Sequence, residues 1–345
     1  MALSNFLNVY MEYKSKYQFD QTPTTAIIIF EIFIILAAVV SLFILRKYEK
    51  NVFIRFLLIA AGVFIFEFFT APMWHNYKMG WWAYVYHDVS WILTAGWSTL
   101  ILVVTVFVDR VFEKFPEWKK FLLYIVFLTF LVVILEGLVT KLGIRSYSPE
   151  TQEVVMGYLP FGAPVNVLYY VPVFMSLVIS FYKYWTFAIF NAAVIPVRKQ
   201  RWLRNLLISF IGVFLFEVMV EPMVTNCMPK WSCVFRDVSL LLTCGWVILV
   251  YFATSFIDKF FIQLDLFQKF IGYLVIIFIV CLPLETWLIN NGYRIYGPSA
   301  TAAFSGLKIP FLGTPIEVVF GIPFFFALVI AFIKYWEIIL DNDKL

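Results

Sequence analysis

The sequence HDVSWILTAGW, residues 87–97, returns almost half a chain later as RDVSLLLTCGW, residues 236–246. Both copies keep an Asp, a Ser, a Thr and a Gly-Trp pair at matching positions, and Asp88 and Asp237 lie 149 residues apart. Polar residues that recur at the same places in two apolar segments indicate an internal repeat.

The repeat extends well beyond this stretch. IAAGVFIFEFFTAPM (59–73) returns as SFIGVFLFEVMVEPM (209–223), and LEGLVTKLGIRSYSPE (135–150) returns as LETWLINNGYRIYGPS (284–299). The tripeptide KYW occurs at 183–185 and again at 334–336. The matches keep their order along the chain, so the two halves are predicted to share one fold.

The composition is that of an integral membrane protein. Hydrophobic residues make up 63% of the 345 residues and charged residues 14%, and the mean hydropathy is +0.88. A soluble domain is about 45–50% apolar and about 25% charged. The net charge of +4 is too small and too dispersed to indicate a nucleic-acid partner.

Long apolar runs predict nine membrane-spanning helices, each near the ~20 residues that a bilayer requires. Barrel strands are excluded because the runs do not alternate between polar and apolar residues. The predicted spans are 25–45, 53–74, 84–108, 121–141, 165–187, 203–223, 233–257, 270–290 and 315–338.

The predicted fold is an all-α, polytopic membrane bundle of two four-helix repeats and one extra N-terminal helix. Because each repeat has an even number of spans, both enter the membrane in the same sense and should be related by a pseudo-twofold axis along the membrane normal. The predicted segments are an N-terminal tail (1–24), the extra helix (25–45), the first repeat (53–187), a basic linker (188–202) and the second repeat (203–338).

Lysine and arginine positions predict the orientation. The connections after the first, third, fifth and seventh spans, together with the C-terminal tail, carry 17 of the 26 basic residues. Cytoplasmic loops are enriched in these residues. We therefore expect the C-terminus and the basic linker in the cytoplasm, and the N-terminal tail on the opposite side.

Acidic residues inside or beside the apolar runs predict a functional site, since such residues usually face the interior of a bundle or a cavity. The candidates for acid–base chemistry are Glu67, Glu217, Asp88, Asp237, Glu136, Glu285 and Glu317. The candidates for substrate binding are Arg145, Arg294, Tyr147, Tyr296, Thr94, Thr243, Trp97 and Trp246. The acidic residues are expected toward the extracytoplasmic ends of their helices. The Arg and Tyr candidates are expected in the loops on that side, and Thr94 and Thr243 one to two helical turns deeper.

A purely structural interpretation stands beside this one. The Glu136–Arg145 type of pair would tie an outer loop to a helix end. Asp88 and Asp237 would cap the helices that follow them, because Asp is a favoured N-cap residue.

Several chemistries are not expected. The two histidines, His75 and His87, are too few for a His-rich metal centre. The sequence has no glycine-rich phosphate loop or other cofactor motif, so neither a metal nor a cofactor is predicted. Cys227 and Cys233 share one outer loop. A disulfide between them and two free thiols are the two alternatives there.

The end of each repeat resembles the membrane lycopene cyclase domain and the carotenoid hydratases. The resemblance is carried by a Glu, then a Gly, then IRSYSP (144–149) or YRIYGP (293–298), and then a Pro-x-Glu helix start. The last motif reads Pro315-Ile316-Glu317 in the second half and Pro164-Val165-Asn166 in the first. The resemblance implies a multi-helix repeat fold and protonation of a carotenoid by the acidic motif, with Glu317 as donor.

Three functions remain open. The first is an intramembrane enzyme, of cyclase, hydratase or isomerase type, that uses buried carboxyls on an isoprenoid or other lipid. The second is a proton- or cation-coupled transporter or channel built from two like halves, and the third is an assembly subunit without chemistry. One competent site, and hence an enzyme, is favoured because the halves differ at polar positions: His75/Thr225, His87/Arg236, Ala71/Glu221 and Asn166/Glu317.

Overall fold

The computed structural model describes residues 20–154, 165–190, 201–310 and 312–341. Most of the predicted N-terminal tail and of the basic linker, together with Pro164 and the last residues of the chain, lies outside these ranges. In the described part of the chain, nine helices are long and apolar enough to cross a membrane. The predicted all-α polytopic bundle is thereby confirmed.

The helices and strands follow one another in a fixed pattern. The long helices are α1 (Thr25–Leu45), α2 (Val52–Thr70), α3 (Trp91–Val111), α4 (Glu117–Lys141), α6 (Val167–Ile189), α7 (Trp202–Val220), α8 (Leu240–Phe260), α9 (Leu266–Asn290) and α11 (Ile316–Asp341). The short helices are α5 (Pro149–Val154) and α10 (Pro298–Ala302). The strands are β1 (Trp74–Asn76), β2 (Tyr84–Tyr86), β3 (Val89–Ser90), β4 (Arg145–Tyr147), β5 (Val224–Asn226), β6 (Cys233–Phe235), β7 (Val238–Ser239) and β8 (Arg294–Tyr296).

Two of the predicted spans begin too early. The spans predicted to start at 84 and 233 start at Trp91 and Leu240, because a short antiparallel hairpin precedes each helix. The first strand of each hairpin, Tyr84–Tyr86 or Cys233–Phe235, is apolar or aromatic, so in a hydropathy pattern it merges with the helix that follows.

The strands form four two-stranded antiparallel sheets at one end of the bundle, which we call the sheet end. Strand β1 pairs with β4 and β5 pairs with β8, while β2–β3 and β6–β7 are the hairpins. Strand β1 follows α2 and β4 follows α4, so each such sheet joins the ends of two spans. Strand pairing satisfies backbone groups that would otherwise be costly near hydrocarbon.

The second half repeats the first element by element. Helices α2, α3, α4 and α6 correspond to α7, α8, α9 and α11, and β1–β4 correspond to β5–β8. The short turns 71–73 and 221–223 touch each other, so the sheets of both repeats lie at the same end. The two repeats are therefore co-oriented, as predicted.

Helices α6 and α11 pack against each other at the centre of the bundle. Matching glycines allow the neighbouring helices to approach them closely. A Cβ atom at Gly62 would lie 3.1 Å from a ring carbon of Phe181, and one at Gly212 would lie 3.0 Å from a ring carbon of Phe332. Small residues at such contacts are a common device of membrane helix packing.

Helix α1 lies outside the repeat and packs along α3. A Cβ at Gly96 of α3 would lie 3.3 Å from Ile34, whereas one at the matching Gly245 would meet nothing within 4 Å. The buried Glu31 of α1 accepts a hydrogen bond of 2.7 Å from the backbone N–H of Gly80. The extra helix thus packs on the first repeat.

The end of the bundle opposite the sheets carries two buried lysines, and we call it the lysine end. The Lys183 ammonium lies 3.0 Å from each of the Asp109 and Glu117 carboxylates, and it donates to the Tyr124 hydroxyl at 3.0 Å.

In the second repeat, the Lys334 ammonium lies 2.6 Å from the Asp258 carboxylate and 2.7 Å from that of Glu337. The Tyr273 hydroxyl also donates to Asp258. Each repeat thus closes its lysine end with a hydrogen-bonded ion cluster.

The predicted orientation leads to a labelling experiment in a variant whose four cysteines are replaced by alanine. Asn291 is exposed at the sheet end and Lys114 is exposed at the lysine end. In intact cells, an impermeant thiol reagent should label Asn291→Cys but not Lys114→Cys, which should react only after the cells are opened. The reverse pattern would contradict the orientation, and equal labelling of both in intact cells would contradict the bundle's placement across the membrane.

Candidate functional site

Each repeat holds a glutamate in the last two turns of its first helix. Glu67 accepts a hydrogen bond of 2.6 Å from the Thr94 hydroxyl, and Glu217 accepts one from Thr243. Both threonines lie one turn into the helix that begins with the repeated motif. The recurring Asp-x-Ser-x-x-x-Thr pattern therefore supplies the partner of a carboxyl that is buried in the first half and half-buried in the second.

A second glutamate in each repeat is tied to the strand that follows its helix. Glu136 of α4 accepts a hydrogen bond from the Tyr147 hydroxyl and lies 3.2 Å from the Arg145 guanidinium. These two residues are separated by one position on β4 and so share one face of the strand. Burial acts to lower the pKa of Arg145, but the surrounding acidic groups, Glu136 foremost, together outweigh it and raise that pKa.

The second repeat has the same arrangement. The Glu285 carboxylate lies 3.1 Å from Arg294 and accepts a hydrogen bond of 2.9 Å from Tyr296. The pairing in both halves agrees with the structural interpretation of these residues as ties between an outer strand and a helix end.

The two aspartates of the repeated motif do not cap the helices that follow. Ser90 is the N-cap of α3 and accepts from the Leu93 N–H at 3.5 Å. Asp88 instead lies 2.9 Å from the His75 ring and accepts from the Asn76 N–H at 3.3 Å.

The expected cap is also wrong for Asp237, since Ser239 is the N-cap of α8. The Asp237 carboxylate accepts from the Asn226 N–H at 2.6 Å. Both aspartates therefore hold a hairpin against a neighbouring strand.

The predicted site residues separate into two sets, each around one cavity at the sheet end. The cavity of the first repeat measures about 50 Å³, and we call it the filled pocket. Its lining includes Glu67, Glu136, Arg145, Tyr147 and Trp97.

The cavity of the second repeat measures about 180 Å³, and we call it the open cavity. Its lining includes Glu217, Glu285, Glu317, Arg294, Tyr296 and Trp246 from the second repeat and Asp88 from the first. Thr94, Thr243 and Asp237 line neither cavity, although the two threonines hold glutamates that do.

Two pairs of matching residues account for the difference in volume. Trp74 and Tyr170 line the filled pocket and pack together with ring centroids 6.4 Å apart. The residues at the matching positions of the second repeat are Val224 and Gly321, and both line the open cavity. The same framework is therefore packed with aromatic rings in one half and hollow in the other.

The open cavity lies on the seam between the halves. Phe68, Phe69 and His87 of the first repeat line this cavity together with residues of the second repeat. Three of the four positions at which the halves were seen to differ contribute to this lining, through Ala71, Glu221, His87 and Glu317. Divergence between the copies is thus concentrated around the larger cavity.

His87 is a lining residue that the sequence analysis did not place in the site. Its backbone has φ +49°, in the left-handed region that few non-glycine residues adopt, as does Arg236 at the matching position with φ +50°. Burial lowers the pKa of His87, against the opposing attraction of Asp88 and Glu317. The lowered pKa favours the neutral ring, which has one nitrogen that donates a hydrogen bond and one that accepts.

Glu317 occupies the first turn of α11 and faces the same cavity. One carboxylate oxygen accepts from the Ser305 N–H at 2.6 Å, and the other is buried with no hydrogen-bond partner among the described residues. Asn166, at the matching position, donates to the Tyr170 hydroxyl at 2.7 Å and lines neither cavity. The two positions thus differ in placement as well as in chemistry.

Glu221 and Arg236 are a pair that the sequence analysis recorded only as differences between the halves. The Arg236 guanidinium lies 2.9 Å from the Glu221 carboxylate. The first repeat has Ala71 and His87 at these positions. Since both members of the pair change together, a position-by-position comparison of the halves carries the signal for this contact.

The described residues include no group of three His, Cys, Asp or Glu side chains arranged to hold a metal ion. Cys227 and Cys233 are free thiols. The chain matches no family model, no curated protein and no solved structure. The resemblance to the lycopene cyclase domain therefore stays a prediction from the motifs.

Proposed function

We propose that the protein is an intramembrane enzyme that binds one end of an isoprenoid or other lipid in the open cavity and acts on it by acid–base chemistry. The observation that carries this proposal is the contrast between two matching frameworks, of which one is filled with aromatic rings and the other is hollow and carries an extra glutamate, Glu317.

The size of the cavity limits what enters it. At about 180 Å³ it is somewhat larger than the ~150 Å³ apolar cavity that takes up benzene. It therefore has room for a small ring or the end of a chain rather than for a whole lipid. The remainder of such a molecule would lie among the apolar helices or in the bilayer.

The chemistry follows from a carboxyl group in an apolar surrounding. A protonated carboxyl beside an alkene can act as a general acid when water does not compete for the proton. Its proton would form a new C–H bond with the electron pair of a carbon–carbon double bond and leave the second carbon cationic. Loss of a proton from an adjacent carbon to a neighbouring carboxylate, or addition of water, would complete an isomerase, cyclase or hydratase reaction.

Glu317 is the proposed acid, and Glu217 is the proposed neighbouring carboxylate. Both line the cavity, and Glu317 has a buried oxygen without a hydrogen-bond partner in the described part of the chain. Glu285 is less suited to proton transfer because Arg294 and Tyr296 occupy its oxygens.

Transport is the second candidate, and the repetition of the Glu–Thr and Glu–Arg–Tyr groups in both halves favours it. A relay would have to connect the sheet end with the lysine end. Between them the central helices contribute side chains that are fully buried and apolar, among them Val178, Ile179, Val329 and Ile330. This packed layer favours chemistry at one end over passage through the bundle.

Lipid extraction and mass spectrometry of the purified protein test the substrate class. We expect a co-purifying isoprenoid or related lipid, and its chemistry defines the activity assay. In that assay Glu317→Gln should lower turnover by about 100-fold or more, since general acid catalysis contributes 10²–10⁴-fold. Asn166→Asp, which adds a carboxyl at the matching position, should retain most of the activity.

Full activity of Glu317→Gln would remove this residue as the acid. A lipid-free preparation that conducts ions in liposomes would replace the enzyme with the transporter.

A further inference from the structure

The carboxyl groups of the open cavity fall into two classes. Three of them face a basic side chain: Asp88 faces His75 at 2.9 Å, Glu221 faces Arg236 at 2.9 Å and Glu285 faces Arg294 at 3.1 Å. The other two, Glu217 and Glu317, are held only by hydrogen-bond donors, from the Thr243 hydroxyl and the Ser305 N–H.

Neither Glu217 nor Glu317 forms an ion pair within 4.0 Å among the described residues. A buried oxygen of Glu317 and one of Glu221 also lack a hydrogen-bond partner there. A carboxylate that is shielded from water and has no cationic partner is costly. When these carboxyls are ionised, as Glu317 is once it has given up its proton, the cavity carries an excess of negative charge that a positively charged group would offset.

The walls of the cavity are aromatic. Phe69, Phe216, Trp246, Phe325 and Phe326 line it together with Tyr86. The face of an aromatic ring attracts a cation, most strongly where water is excluded. Within this protein the Arg294 guanidinium already lies 5.7 Å from the centre of the Trp246 ring.

The pocket of the first repeat also has aromatic walls and one carboxyl without an ion pair among the described residues, Glu67, but it has fewer carboxyls and less room. It has Asn166 in place of Glu317 and Ala71 in place of Glu221, and Trp74 and Tyr170 fill the space between its walls. Excess negative charge, aromatic walls and free volume thus coincide in one half only.

We infer that the open cavity recognises the compact, positively charged end of an otherwise apolar molecule. Two sources share this chemistry: a stable lipophilic ammonium ion, and a short-lived cationic centre formed on an alkene within the cavity. The inference uses the cavity of the proposed function and names the charge of the group that is seated in it.

The test compares two probes of the same shape, hexyltrimethylammonium and its neutral carbon counterpart 2,2-dimethyloctane. Affinities are measured by calorimetry and by the shift in melting temperature on the full-length protein in lipid nanodiscs. We expect the ammonium probe to bind at least about tenfold more tightly, because cation–π and carboxylate contacts act together in a desolvated site. Glu317→Gln should reduce this ratio severalfold, and Asn166→Asp should leave it unchanged.

Nonspecific uptake into lipid is controlled by a variant with Val224→Trp and Gly321→Tyr, which closes the cavity and should bind neither probe. Equal affinities for the two probes, or undiminished ammonium binding by the closed variant, would overturn the inference. A parent protein that binds both probes equally, together with an inactive Glu317→Gln variant, would leave the proposed chemistry standing and remove this inference alone.

The lipid found with the purified protein separates the two sources. An amine-bearing lipid identifies the stable ammonium ion as the natural ligand. An isoprenoid hydrocarbon, with the ammonium probe as a competitive inhibitor of its conversion, identifies the transient cation.

Discussion

Closing the open cavity with the side chains of the first repeat, through Val224→Trp and Gly321→Tyr in one protein, is expected to abolish ligand binding and activity while the protein still folds. The first repeat shows that its matching framework holds both rings, Trp74 and Tyr170. A Cβ at position 321 would lie 3.4 Å from Phe69, an ordinary contact distance. We expect activity to fall by about 100-fold or more, since even small displacements of a substrate have that effect.

The control places mild changes at the matching positions of the other half. Trp74→Phe with Tyr170→Phe keeps the first repeat packed and should leave binding and turnover close to those of the parent. If the closed variant stays active, or if the control loses activity to the same degree, the site does not lie in the open cavity.

The second large effect concerns the lysine end, where Lys183→Met is expected to destabilise the protein by about 3–5 kcal/mol. Methionine has nearly the length of lysine, but it removes the ammonium that lies 3.0 Å from each of the Asp109 and Glu117 carboxylates. Lys120, 2.9 Å from Glu117 and 3.8 Å from Asp109, then faces both carboxylates, so one negative charge is left uncompensated, which costs more than the lost pair contributes. Unfolding followed in mixed micelles by increasing denaturing detergent measures the change.

Lys334→Met should have a comparable effect, because Lys334 faces Asp258 and Glu337 in the same way. Lys114→Met removes an exposed lysine between α3 and α4 and should change stability little. Loss of less than about 1 kcal/mol in both buried variants would mean that these clusters have the weight of surface ion pairs.

The fold was readable from the sequence because it rests on two strong signals. Apolar runs define the spans. Matched residues such as Glu67 and Glu217 define the repeat and show that each copy contains an even number of spans. What hydropathy missed was the start of two helices, since Tyr84–Tyr86 and Cys233–Phe235 are apolar strands directly before a span. Composition alone does not separate such a strand from the first turn of a helix.

The site was readable only in part, for a physical reason. Charged residues in an apolar run attract notice, and those named for the cavities do converge at the sheet end. A cavity, however, is made by side chains that are small, and nothing in the second repeat by itself marks Val224 or Gly321 as unusual. Their role becomes visible only when they are compared with Trp74 and Tyr170, the residues at the matching positions of the first repeat. His87 was missed because a single histidine in a turn forms no sequence motif. Its place in the site becomes visible only when the residues of the second repeat that line the same cavity are known.

The open cavity also has a consequence for the stability of the second repeat. At roughly 24 cal/mol per Å³, a cavity of about 180 Å³ against one of about 50 Å³ forgoes about 3 kcal/mol of packing that the aromatic rings supply in the first repeat. Membrane helices associate largely through such packing, so the second half is expected to be the weaker one and to open first on heating. A molecule that fills the hollow restores the missing contacts, and the protein's lifetime in the membrane would then depend on the supply of its own ligand.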